Sequence, residues 1–138
     1  MSKIKVLSKL IVGGQRLTNT KKSVVAYLEK QTNPVTVKQI NSNVSANKTT
    51  IYRLLKRLID LGSISEVNFG DGKKRYEISS KNHHHHLICV SCSKITEFEI
   101  GNKICRNKIL LKKHLEFKVL RHNLEFFGIC GKCENKYE

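Results

Sequence analysis

Two Cys-x-x-Cys pairs, Cys89/Cys92 and Cys130/Cys133, bracket the last third of the chain, and four consecutive histidines, His83 to His86, stand directly before the first pair. Each pair offers two thiolates from one tight turn. Two pairs complete the tetrahedral four-sulfur shell that zinc adopts in structural sites. This pattern constrains folding more than any other in the chain, because segments some forty residues apart have to meet around one ion. A pair of disulfides or idle thiols is the rival reading. It requires an oxidising compartment, and no secretory signal precedes the cysteines, so reduced thiols and a bound metal are expected.

At 138 residues the chain suits two small domains, divided here as 1–80 and 81–138. Hydrophobic residues make up 39%, enough for modest cores that a metal clip and oligomerisation would support. No apolar run approaches the roughly 20 residues of a membrane span, and a cytoplasmic protein is expected. The charge balance is more telling. Lys and Arg number 26 against 11 Asp and Glu, a formal net charge of +15. The first 80 residues hold 15 of those basic residues and only 5 of the acidic ones. Such an excess favours a polyanion, since each neutralised phosphate releases condensed counterions.

Ile4, Val6, Leu7, Leu10 and Ile11 are spaced for a short amphipathic helix that Gly13-Gly14 stops. A second helix over Thr20 to Gln31 carries Val24, Val25 and Leu28 on one face and ends at Asn33-Pro34. Thr36 and Gln39 read as a capping box for a third, bearing Val37, Ile40 and Val44. After a turn through Ser45, Ala46 and Asn47 comes the strongest helical pattern, Lys48 to Leu61. Its residues Ile51, Leu54, Leu55, Leu58 and Ile59 form one continuous apolar stripe. The opposite face carries Thr49, Tyr52, Arg53 and Lys56. A capped short helix, a brief turn and a longer basic helix make a helix-turn-helix, in which Thr49 and Tyr52 meet base edges while Arg53, Lys56 and Arg57 hold phosphates.

Ser63 to Phe69 and Lys74 to Ile78 read as strands around Gly70-Asp71-Gly72. Such a hairpin is a wing, with Lys73, Lys74 and Arg75 at its tip facing the phosphate backbone. The expected fold is therefore α+β: an N-terminal winged helix followed by a small α/β dimerisation domain with the four-cysteine zinc site. In the second domain, Leu87 to Val90 and Ile95 to Phe98 are expected strands flanking the first cysteine turn, and Ile100 to Lys113 an expected helix. A second hairpin is expected from Leu115 to Val119 and Leu124 to Phe127 around Arg121-His122-Asn123. Strands this few leave an edge unpaired, which predicts a symmetric homodimer.

Several blocks, taken in order, resemble the ferric uptake regulator family of metal-sensing repressors over nearly the whole chain. They are Thr49-Thr50-Ile51-Tyr52-Arg53-Leu54-Leu55, Asp71-Gly72 with Arg75-Tyr76-Glu77-Ile78, His83 to Cys89 with Cys92, Glu97-Phe98, and His122-Asn123-Leu124 before Cys130 and Cys133. The resemblance implies dimeric binding to double-stranded operator DNA, repression when metal is bound, a structural zinc on Cys89, Cys92, Cys130 and Cys133, and a regulatory metal at the hinge between domains. An extended histidine run points His84 and His86 one way and His83 and His85 the other. Glu77, His84, His86 and Glu97 match the family's regulatory site, and mixed nitrogen and carboxylate ligands suit Fe(II), Mn(II), Zn(II) or Co(II). His83, His85 and His122 match a further site, with Cys105 standing where the family places a glutamate. A free cysteine on a helix is the other reading of Cys105. Arg16 matches a basic position used near the minor groove. One departure is Asn33-Pro34, where the family often has a histidine.

Two other classes compete. A zinc-stabilised module could bind nucleic acid constitutively, without sensing metal. A metal-dependent hydrolase could use His and Glu ligands to activate water. No nucleophile or pocket for a small organic substrate is legible, and the basic helix would then lack a purpose, so no enzymatic activity is expected.

Overall fold

Two compact units divide the chain, Met1–Lys81 and Asn82–Glu138. The fold is that of a computed structural model, which describes residues 3–79, 84–99, 113–118 and 124–136. The first unit runs α1 (Lys3–Val12), α2 (Asn19–Lys30), β1 (Val35–Thr36), α3 (Val37–Asn43), α4 (Lys48–Asp60), β2 (Ile64–Asn68) and β3 (Lys74–Ile78). In the second are β4 (His85–Cys89), β5 (Ile95–Phe98), β6 (Glu125–Gly128) and α5 (Gly131–Glu134). The architecture is α+β.

Local chemistry starts α2, α3 and α4. Thr18 caps α2 by accepting from the Lys21 N–H at 3.3 Å. At α3 the capping box forms in both directions: the Gln39 N–H donates to Thr36 Oγ1 at 3.2 Å, and the Thr36 N–H donates to Gln39 Oε1 at 2.8 Å. Asn47 accepts from the Thr50 N–H at 2.8 Å and opens α4. The turn between α3 and α4 is held by the Asn41 side-chain amide, which donates to the Ala46 carbonyl at 2.6 Å. Gly62 ends α4 with φ +63, where a Cβ would be strained, and its N–H reaches the Ile59 carbonyl at 2.8 Å.

Packing then fixes which face of α4 looks outward. Ile51, Leu54, Leu55 and Leu58 are buried together with Val6 and Leu10 of α1, Val24, Val25 and Leu28 of α2, and Val37 and Ile40 of α3. Each such side chain contributes about 1.5–3 kcal/mol when fully buried, so rolling α4 about its axis is costly. Ile59, expected in the stripe, is only partly buried at its margin.

The wing forms as expected, with β2 antiparallel to β3 and Ser65 opposite Glu77. It also gains a strand that the sequence pattern did not reveal. Val35 and Thr36 pair with Tyr76 and Arg75, giving the order β1-β3-β2. Two residues, the second of them the cap of α3, are too few to show alternation.

In the second unit β4 and β5 form an antiparallel hairpin closed by the first cysteine turn, with His86 opposite Glu97. The expected second hairpin is corrected. Residues 113–115 are helical and 116–118 are not strand, while β6 lies parallel to β4, with Cys89 opposite Gly128. Alternation in Leu124 to Phe127 signalled a strand but not its partner, and the available partner is β4. The remainder of the expected hairpin and nearly all of the expected helix over Ile100 to Lys113 lie outside the described residues.

Candidate metal centres and nucleic-acid interface

The parallel pairing of β6 with β4 carries the chain from Gly128 directly to Cys130, beside Cys89. One ligand atom from each of Cys89, Cys92, Cys130 and Cys133 lies within 4.8 Å of the others. Cys92 Sγ and Cys130 Sγ are 3.7 Å apart, far beyond the roughly 2.05 Å of a disulfide. Zn–S bonds of about 2.3 Å arranged tetrahedrally place sulfurs about 3.8 Å apart, so the separation fits an ion at the centre. Each pair is shaped by its own turn. Ser93, at φ +59, folds the first back so that its N–H meets the Cys89 carbonyl at 2.8 Å. Cys130 precedes α5 in extended conformation, and the Cys133 N–H donates to its carbonyl at 2.8 Å.

The electrostatics of this cluster suit a cation. Backbone N–H groups of Cys130, Cys92 and Ser91 draw the Cys89 thiol down to about 6, the Cys130 N–H lying 3.3 Å from Cys89 Sγ. The Cys133 N–H lowers Cys130 in the same way. Cys92 is drawn down by the Lys94 N–H, yet the Cys89 sulfur, burial, and the sulfurs of Cys133 and Cys130 together outweigh this and push it up to about 11. Some sulfurs ionise readily while a neighbour resists. A central divalent ion removes that resistance, because coordination deprotonates thiols outright.

A second ligand set lies on the same sheet. His84 and His86 are two residues apart, on one face, with ring centroids 5.1 Å apart and planes at 85°. Glu97 sits across the ladder from His86. Ligand atoms of His84, His86 and Glu97 fall within 4.8 Å of one another, against about 3.0–4.2 Å in a closed site with bonds near 2.1 Å. Two imidazoles and a carboxylate suit borderline divalent ions rather than the all-sulfur preference of the first set. His86 is buried, which limits competition from water. Glu77, in the first unit, is half-buried on β3.

His85 points to the opposite face, and its Nδ1 lies 3.1 Å from the Leu124 carbonyl. Its companions in the expected further site, His83, His122 and Cys105, lie outside the described residues. His114 is exposed.

On the first unit, Thr49, Tyr52, Arg53 and Lys56 are all exposed on α4, Tyr52 at 52%. Arg57 is not part of that face. Its Nη2 donates to the Gly13 carbonyl at 2.8 Å, holding the end of α1. Arg16 is exposed between α1 and α2, and its carbonyl accepts from Lys21 Nζ at 2.8 Å. On the wing, Lys73 is exposed, whereas Lys74 pairs with Glu66 at 3.2 Å and Arg75 with Asp71 at 2.7 Å. Neither ion pair is legible in the sequence. Asp71 stands four residues before Arg75, a spacing that signals an ion pair in a helix but carries no such meaning in a loop.

The model of the ferric uptake regulator family matches residues 13–127. The chain is 37% identical over 100 residues to the ferric uptake regulation protein of Campylobacter jejuni, covering 72% of this chain and 63% of that protein. It is 30% identical over an alignment of 138 residues to the peroxide-responsive repressor PerR of Staphylococcus aureus, covering 94% and 90%. The fold is similar to that of the Helicobacter pylori ferric uptake regulator, with a TM-score of 0.79 at 24% identity over 97% of this chain and 95% of the other. Matched across most of its length, and built with cysteine pairs and a winged helix in the order its motifs predict, the chain belongs to the ferric uptake regulator family.

Proposed function

We propose that this protein is a metal-responsive, sequence-specific transcriptional repressor that binds operator DNA as a homodimer. The observation that carries the reading is the presence of two chemically different ligand sets on one small sheet, a closed four-sulfur set and a separate histidine–carboxylate set. The first suits zinc held permanently for structure. The second suits an exchangeable Fe(II), Mn(II) or Zn(II), with Glu77 as a further ligand from the DNA-binding unit. The names of the two sequence relatives, a ferric uptake regulation protein and a peroxide-responsive repressor, support the same reading.

Residues 1–80 serve as the DNA-binding domain and 81–138 as the domain for dimerisation and metal binding. Thr49 and Tyr52 on α4 read base edges, and Arg53 and Lys56 hold phosphates, assisted by Arg16 and the wing. Support for a dimer comes from β6, an edge strand whose Phe126 and Phe127 are exposed among the described residues, followed by an exposed Ile129. No helix among the described residues is long and apolar enough to cross a membrane. No catalytic role is proposed.

Duplexes selected from a random pool by the metal-loaded protein provide the operator for testing this division of labour. Tyr52→Ala is expected to lower the ratio of operator to random-DNA affinity about tenfold. Lys56→Ala is expected to weaken both alike and to flatten the slope of log affinity against log salt by about 0.9. Fluorescence anisotropy across a salt series measures both quantities. Equal losses of the ratio in the two variants would contradict the assignment.

A further inference from the structure

The wing tip carries three cations, Lys73, Lys74 and Arg75, yet its geometry separates them. Arg75 engages Asp71 through a two-pronged contact, Nη1 to Oδ1 at 3.0 Å and Nη2 to Oδ2 at 2.7 Å. Its guanidinium also lies over the buried Phe69 ring, 5.0 Å from the centroid, and its side chain is only 14% exposed. Asp71 in turn accepts from the Lys73 N–H at 3.1 Å, and Asn68 accepts from the Gly70 N–H at 2.9 Å. The loop is thus knotted around one fork. A forked arginine–carboxylate pair with an aromatic wall is the geometry in which a surface ion pair holds shape rather than merely balancing charge. Lys74 is 62% exposed and spans to Glu66. Among the described residues Lys73 makes no ion pair, and it is exposed at the tip.

We infer that Asp71 and Arg75 are positioning residues that hold the wing loop in its DNA-binding shape, and that the phosphate contact at the tip falls to Lys73. The inference rests on the DNA-binding reading above and reassigns Arg75 within it. It has a consequence opposite to simple charge counting. Removing an acidic residue from a DNA-facing loop ordinarily strengthens binding, because the phosphates meet less repulsion. Here the acid holds the loop, so its removal weakens binding.

The test uses the full-length, metal-loaded protein and the selected operator duplex, with affinity followed by anisotropy over a salt series. Asp71→Asn is expected to weaken operator binding about fivefold while leaving the salt slope within about 0.3 of wild type. Lys73→Ala is expected to flatten that slope by about 0.9. Arg75→Lys keeps the charge and loses the fork, so it should weaken binding as Asp71→Asn does, and it substitutes for that variant should the latter fail to fold. In an Arg75→Gln background, Asp71→Asn should no longer weaken binding. Tighter binding and a steeper slope for Asp71→Asn, or wild-type affinity for Arg75→Lys, overturns the inference while leaving the DNA-binding function standing. Wild-type protein with no affinity for any duplex removes the function itself, and this role with it.

Discussion

Cys133→Ser protein is expected to be purified with less than about a fifth of a zinc ion per chain, against one in the wild type, and with the sheet of the second unit lost. The reason is the imbalance between what the metal and what the core can supply. Structural zinc contributes on the order of 10–16 kcal/mol in small cysteine-rich folds. Among the described residues of the second unit, the buried side chains are Ile88, Cys89, Cys133, His85 and His86. Among the described residues that is little apolar support for three short strands, so the zinc carries a large share of their stability. Cys133 is the best single probe, since it is buried and its helix, α5, is only four residues long. A serine hydroxyl matches the thiol in shape but does not ionise to a ligand near neutral pH. Elemental analysis and circular dichroism read the outcome, with the helices of the first unit as internal control because their core contains no cysteine. A fully zinc-loaded and folded Cys133→Ser protein would contradict the structural role.

The second large effect concerns His86. Coupling between two sites in regulatory proteins typically spans about 5- to 150-fold in affinity, and the proposed metal should raise operator affinity toward the upper end of that range, roughly 100-fold. His86→Ala, measured with the four-sulfur zinc retained, is expected to reduce that stimulation to less than about threefold. His86 faces Glu97 across the ladder and touches His84, so its loss breaks the ligand set at its centre. Shifting a population from 1:99 to 99:1 needs about 5.5 kcal/mol of differential binding, which an incomplete shell is poorly placed to supply. Affinity measured with and without Mn(II) decides the matter, and undiminished stimulation would assign the sensory role elsewhere.

How far the residues announced this arrangement varied with the length over which each signal repeats. The stripe of α4 recurs on three successive turns, at Ile51, at Leu54 and Leu55, and at Leu58, and overdetermines its buried face, and with it the outward direction of Tyr52 and Lys56. Thr36 and Gln39 announced a helix start through a three-residue rule that depends on local chemistry alone. The two cysteine pairs were equally plain, because metal chemistry permits few alternatives. Pairing partners were less legible. Alternation in Leu124 to Phe127 is the same whether that strand runs against a hairpin neighbour or parallel to β4, and β1 is too short to alternate at all. Side-chain alliances in loops were the least visible. Nothing in the spacing of Asp71 and Arg75 discloses that the wing folds one onto the other over Phe69, nor does the pattern of α4 disclose that Arg57 reaches the Gly13 carbonyl.

The central claim is that a metal on the histidine–carboxylate set controls DNA binding, while zinc on the cysteines only maintains the fold. The most direct test is operator affinity of the wild-type protein with one zinc per chain, before and after anaerobic addition of Mn(II) or Fe(II). A rise of roughly 100-fold, reversed by a chelator that leaves the zinc in place, is the predicted result. Equal affinity in both states would contradict the account and leave a zinc-stabilised protein that binds DNA without sensing metal.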